Sequence, residues 1–253
     1  MTLIVTHISK HGIVHASDSN LTSDVGHQAG QGQKTFAVPR LQAGLALAGA
    51  YSVGGNSMDR WMKSFIESEP SATLADFAAA LRNALSRQMQ PEEKAAGILM
   101  HLAGYAEQEG VYHPELWHLR NVDIDSATGQ YRITDPLQLT EDFWSRDCPK
   151  RNIMRAFQSD TYAYQMYFNG FAPGRITFAA LQPVLADFFE SIWGQPDWKF
   201  RPPASIGETE SLVKLYIQII SAMFQLSDYS APIIGGYAQT YGIPQPRSIA
   251  SNC

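Results

Sequence analysis

The sequence predicts a layered α+β fold: two antiparallel β sheets packed together, with a pair of helices on each outer face. Three observations predict it. Short runs rich in β-branched residues cluster in the first fifty positions, between Ile98 and Ile133, and again near the C-terminus. Two amphipathic helical stretches fall in each interval between those clusters. Blocks of strands followed by blocks of helices, rather than strict alternation, mark α+β architecture.

Taken in order, Leu3–Ile8 and Ile13–Ala16 read as strands joined by the turn Ser9-Lys10-His11-Gly12, a β-hairpin. A Gly- and Gln-rich loop is expected over Ser23–Gln33. Lys34–Val38 and Gly44–Ala48 read as two further strands turning at Pro39-Arg40. Met58, Trp61, Met62, Phe65 and Ile66 then form one apolar stripe, the mark of a helix, which Pro70 ends. Thr73 is a good N-cap for a second helix whose Leu74, Phe77, Leu81 and Leu85 share a face, with Pro91 as its stop. Strands return at Ile98–Leu102, Leu116–Leu119 and Gln130–Ile133. Residues 135–162 mix charges and aromatics and read as an insertion. Tyr164–Phe168 is a strand, Thr177 opens a third helix, and Leu212, Leu215, Ile219 and Met223 line a fourth. Ile233–Ala238 is the expected last strand, closing a single domain over residues 1–243 ahead of a loose tail, 244–253.

Composition narrows the function classes. In 253 residues, 45% are hydrophobic and 17% charged, ordinary for a chain with a full-sized core. A net charge of −5 argues against nucleic acid or an anionic membrane as the main partner. Cys148 and Cys253 form no disulfide framework, and no signal peptide or membrane-length apolar run is present, so a cytoplasmic chain is expected. No cofactor is expected either. The sequence has no phosphate loop or dinucleotide fingerprint, and His7, His11 and His15 lack a completing Cys, Asp or Glu at metal-ligand spacing.

The chemistry centres on Thr2 and Asp18. If the first hairpin turns around Lys10, residues whose numbers sum to about twenty lie opposite each other, ~5 Å apart at Cβ. Thr2 then faces Asp18, although a slip of one residue would place them on opposite faces. Removal of Met1 would leave a hydroxyl and a free α-amine on one residue. With an ordinary pKa of ~7.7–8.0, that amine can take the hydroxyl proton near neutral pH. From Met1-Thr2 alone, the plainer reading of a β-branched residue opening a strand carries more weight.

The segment from Gly12 through Asp18-Ser19-Asn20-Leu21-Thr22 resembles the proteasome β-subunit signature of Gly, an apolar strand and Asp-Ser-x-x-Thr. The peptidase subunit of the bacterial two-component protease and the ancestral bacterial β-subunit group share this front end. Asp18 and Lys34 stand sixteen and thirty-two residues after Thr2, as the acid and the lysine do in that family, and Ala48-Gly49 matches its next landmark. The resemblance covers roughly the first seventy residues. It implies a four-layer αββα sandwich of the N-terminal-nucleophile hydrolase type, with Thr2 as nucleophile. Lys34 would favour the Thr2 alkoxide, Asp18 would hold Lys34, and the Gly49 N–H would serve the oxyanion. Leu21, Thr22, Leu47 and Tyr51 would shape an apolar substrate pocket. Ser19, Asn169, Asp228 and Ser230 would support the centre, although Asn169 stands where the family has a Gly-Ser-Gly turn. The expected substrate is a peptide or amide, cut within a homo-oligomeric ring that an ATPase partner can serve. The alternatives are an amidase acting on a small amide and a non-catalytic scaffold subunit.

Overall fold

The computed structural model describes residues 2–22, 28–108, 110–124, 131–141, 164–228 and 233–246. Its centre is the expected hairpin: β1 (Leu3–Ser9) and β2 (Gly12–Ser17) are buried along their whole length. Ser9 faces Gly12 and Ile4 faces Ser17, so partners sum to twenty-one and the register differs by one residue from that expected. Gly12 makes this turn possible, because it holds φ +140° and a Cβ there would sit 2.1 Å from the Ile243 carbonyl oxygen. β12 (Tyr164–Gly170) and β13 (Gln239–Pro244) flank the hairpin, giving a four-stranded antiparallel sheet in the order β12-β1-β2-β13.

A second sheet has the order β11-β10-β9-β6-β5. It comprises β5 (Thr35–Val38), β6 (Ala43–Gly49), β9 (Ile98–Gln108), β10 (Val111–Ile124) and β11 (Tyr131–Glu141). Two small sheets complete the strands: β3 (Asn20–Thr22) with β4 (Gln28–Gln31), and β7 (Ser52–Val53) with β8 (Asn56–Ser57). Among the described residues the α helices are α1 (Met58–Ser68), α2 (Leu74–Gln88), α3 (Pro91–Ala95), α4 (Ala172–Ile192) and α5 (Ile206–Gln225).

Period-two alternation divides each strand between two surroundings. On β6, Leu45 and Leu47 pack with Met58, Met62, Phe77, Leu81 and Leu85 of α1 and α2. On β1, Leu3 and Val5 pack with Phe178, Val213, Ile217 and Ile220 of α4 and α5. Ile4, Ala46, Ala48, Leu99 and Val122 fill the space between the sheets near Thr2, and Ile8, Ile13, Ala103 and Leu116 fill it further along. Each fully buried Leu, Ile or Phe contributes about 1.5–3 kcal/mol.

The expected four-layer αββα sandwich, two sheets each flanked by a helix pair, is not what the chain forms. Among the described residues thirteen strands fall into four sheets beside five α helices, and the helices do not make matched pairs. α1 leans on the small β7–β8 sheet, α2 alone spans β9, β10 and β11, and α3 has only five residues. The sheets grow at the expense of loops. β9, β10 and β11 extend well beyond the apolar cores that announce them, because exposed positions pair as readily as buried ones in long hairpins.

Other boundaries move for local reasons. Thr73 caps α2 as expected, its hydroxyl oxygen accepting from Asp76 N at 3.1 Å. Thr177 lies inside α4 with its hydroxyl donated to the Pro173 carbonyl, and the helix starts earlier with Pro173 in its first turn. The loop expected over Ser23–Gln33 contributes β4, and the last strand is Gln239–Pro244 rather than Ile233–Ala238. Of the expected insertion, residues 135–141 belong to β11, and residues 142–162 lie outside the described residues. Among the described residues no helix is long and apolar enough to cross a membrane.

Candidate active site

Three side chains meet where β1 begins, β2 ends and β5 begins. The Lys34 ammonium donates to Thr2 Oγ1 at 2.5 Å and to the Asn20 carbonyl, and lies 3.5 Å from Asp18 Oδ2. Those are the three donors an ammonium has. Thr2 is 3% exposed, and Asp18 and Lys34 are 1% exposed each. Asp18 also accepts from Leu3 N at 3.0 Å, Asn20 N at 3.2 Å and Gly235 N at 3.3 Å. The observed register sets Asp18 beside Leu3 rather than Thr2, so the acid reaches the threonine only through Lys34.

Burial acts on both members of this pair. It lowers the Lys34 ammonium from its ordinary value, and the Asp18 charge opposes the shift. It raises the Asp18 carboxyl, opposed by Lys34 and by the Leu3 and Gly235 N–H groups. Each charge is therefore held in place mainly by the other.

The C-terminal segment closes the site from behind. Ser19 N donates to the Gly235 carbonyl at 3.2 Å, and Ser19 Oγ accepts from Tyr237 N at 3.0 Å. Gly236 is held at φ +73°, where a Cβ would stand 2.3 Å from Ser19 Oγ. Gln239 Oε1 accepts from Lys34 N at 2.8 Å and Thr35 N at 3.2 Å, and its Nε2 donates to the Gly32 carbonyl at 2.6 Å. Sequence reasoning missed Gln239, because no local pattern marks a contact that spans about two hundred residues, and missed the Asn20 carbonyl, because a backbone acceptor carries no residue-type signal.

Gly49 ends β6 at φ +99° and is exposed. Ala50 N donates to the Gly97 carbonyl at 2.7 Å, and Gly49 pairs with Ile98 one step along. Antiparallel alternation therefore turns the Gly49 N–H away from β9, toward the edge where β5 has not yet begun. Ile98 N points the other way, to Asn121 Oδ1 at 2.7 Å.

Thr2 and Gly49 border two cavities. One, of about 240 Å³, is walled by Ala48, Ile98, Leu99, Val122, Ile133 and Phe171. The other, of about 310 Å³, takes in Leu21, Thr22, Tyr51, Ser52, Glu92 and Glu93. Leu21, Thr22 and Tyr51 thus lie beside Thr2, with the Tyr51 hydroxyl held by the Gln33 carbonyl at 2.9 Å. Leu47 does not join them; alternation along β6 sends it into the core against α2. Glu92, Glu93, Val122 and Ile133 were not anticipated.

The remaining candidates stand apart. Asn169 Nδ2 donates to His101 Nε2 at 2.8 Å, in a buried chain that runs through Thr6 Oγ1 to His15 Nδ1, each His–Thr distance being 3.0 Å. This direction makes His101 Nδ1 the donor to Thr6 and sets the Thr6 hydroxyl on His15. Burial lowers His15 to about 4 and His101 well below its ordinary value, so both rings are neutral. Asp228 is an exposed bend residue after α5, and Ser230 lies outside the described residues. No group of three His, Cys, Asp or Glu side chains among the described residues is placed to hold a metal.

No protein-family model matches the chain, and no curated protein matches its sequence.

Proposed function

We propose that the chain is an N-terminal-threonine hydrolase of amides or peptides, with chemistry of the proteasome kind. One observation carries the reading: the buried Lys34 ammonium, itself held by Asp18, donates to the Thr2 hydroxyl oxygen at the meeting point of two cavities. Because that oxygen accepts from Lys34, its own proton is free to leave for the Thr2 amine once Met1 has been removed by hydrolysis. Thr2 Oγ1 attacks the amide carbon, and the Gly49 N–H and Lys34 stabilise the developing negative charge. Collapse of the adduct breaks the C–N bond, the leaving amine takes the proton held on the Thr2 amine, and water then hydrolyses the ester. The exposed apolar residues of α4, Ile176, Val184 and Phe188, fit a subunit contact of the kind a cytoplasmic homo-oligomeric ring needs. An ATPase partner remains part of the proposal only through the resemblance.

A second reading, a non-catalytic scaffold subunit, is favoured by Asn169, whose amide is committed to His101 rather than to the threonine. An amidase for a small amide would use the same centre. Hydrolysis of a panel of fluorogenic peptide amides and small amides decides among them. The proposal expects turnover by wild type, retention in Thr2→Ser and loss in Thr2→Ala. Equal turnover in wild type and Thr2→Ala, or none in any protein, refutes it.

A further inference from the structure

We infer that the site selects an amide carrying an apolar group on one side of the scissile bond and a cationic group on the other; this rests on the hydrolase reading. The two cavities that meet at Thr2 differ in chemistry. The 240 Å³ cavity is lined by carbon, from Ile98, Leu99, Val122, Ile133 and Phe171. That volume is about eight times a water molecule's share of the liquid, room for one branched or aromatic side chain. Its rim residue Ile133 is 45% exposed on β11, so apolar surface stands ready at the mouth. Gly97 opens the floor: a Cβ there would fall 2.8 Å from Val122 and 2.9 Å from Ile133.

The second cavity holds the opposite chemistry. Its lining includes Glu92, Glu93, Ser52, Thr22 and Asn20, with no lysine or arginine among the described residues. Glu93 is spent on structure, because its two oxygens accept from Gly54 N at 2.8 Å, Gly55 N at 3.0 Å and Gln90 N at 2.8 Å. Those bonds fix α3 and its neighbouring turn against the cleft and leave Glu92, one residue earlier, to face a ligand. A carboxylate set in a cleft of this size favours an ammonium or guanidinium partner. An exposed pair of ordinary surface strength is worth up to roughly fivefold in selectivity, and a lost apolar contact roughly tenfold or more.

The experiment is cleavage-site mapping by mass spectrometry of a mixed peptide library treated with wild type, Glu92→Lys, Ile133→Asp or Thr2→Ala. Cuts absent from Thr2→Ala are expected to carry Lys or Arg on one side and Leu, Ile or Phe on the other. Glu92→Lys removes the basic preference and leaves the apolar one; Ile133→Asp does the reverse. Thr2-dependent cuts with flat preferences, or preferences moved by neither substitution, overturn the inference alone. The same proteins are treated with a small, unselective threonine-directed electrophile. Labelling of Thr2 without any cleavage overturns the selectivity inference, and absence of both labelling and cleavage overturns the hydrolase reading with it.

Discussion

Replacing Lys34 with Met removes one half of a buried charge pair and leaves the other half in place. The Asp18 carboxylate is 1% exposed and keeps its bonds from Leu3, Asn20 and Gly235, but loses its only neighbouring cation among the described ion pairs. Breaking a buried pair from one side costs about 3–5 kcal/mol, roughly 6–20 °C in Tm for a domain of this size. The loss depends on pH with a definite sign. Burial already raises the Asp18 carboxyl, and removing Lys34 raises it further. The folded state then binds the proton more tightly than the unfolded one, so stability falls as pH rises from the unfolded carboxylate value through the folded one. Lys34→Met is therefore closest to wild type near pH 5 and furthest from it near pH 8. Asp18→Asn added to Lys34→Met removes the orphaned charge and restores part of the loss. Thermal unfolding of the four proteins of this cycle at both pH values measures the coupling. Additive single effects, each under about 1 kcal/mol and independent of pH, would refute the argument for a buried, mutually held pair.

The remaining predictions are tested separately. His15 is held near 4 against an ordinary 6.5, so its neutral form contributes stability above pH 6.5 that is lost as pH falls toward 4, about 3 kcal/mol in all. Urea unfolding between pH 7 and 4.5 should show that slope, and His15→Gln should make it less steep, the buried His7 and His101 keeping the remainder; identical slopes contradict the assignment. Gly49→Ala puts a Cβ 2.1 Å from the Gly97 carbonyl at φ +99°, which should cost about 1–3 kcal/mol and more than tenfold in kcat, read by fluorogenic turnover. Gln239→Leu strands the Lys34 and Thr35 N–H groups and should cost about 1–3 kcal/mol, with a lower rate of Thr2 labelling. An unchanged rate would show that Gln239 does not position Lys34.

Much of this architecture is visible in the residues themselves. The Lys10 turn, the Thr73 cap and the apolar stripes of α1 and α2 follow from local pattern, whereas α5 buries Val213, Tyr216, Ile217, Ile220 and Phe224 and leaves Leu215 and Met223 of the expected stripe exposed. Lys34 is marked by no local pattern, only by its offset from Thr2 in the family that the segment resembles. The hairpin register is not legible either, because a two-residue turn and a longer one leave the same apolar alternation and differ only in turn geometry. The place of Leu47 is legible in the alternation of β6: it shares one side of the strand with Leu45 and packs with it in the core rather than at the cleft. Asn169, by contrast, misled. It stands where the resembled family has a Gly-Ser-Gly turn near the amine, but β12 pairs it with Ile4 and directs its amide between the sheets to His101. The extent of β9, β10 and β11, and hence Val122 and Ile133 at the cleft, depends on partner strands that only the folded chain supplies.

The central claim concerns one oxygen atom, and intact-mass spectrometry with peptide mapping reads it directly. Treated with an electrophile that bridges a vicinal amine and hydroxyl, the purified protein is predicted to lack Met1 and to gain a single adduct on Thr2. Lys34→Met should slow the reaction sharply. Retained Met1, or equal labelling of Thr2→Ala, would contradict the account.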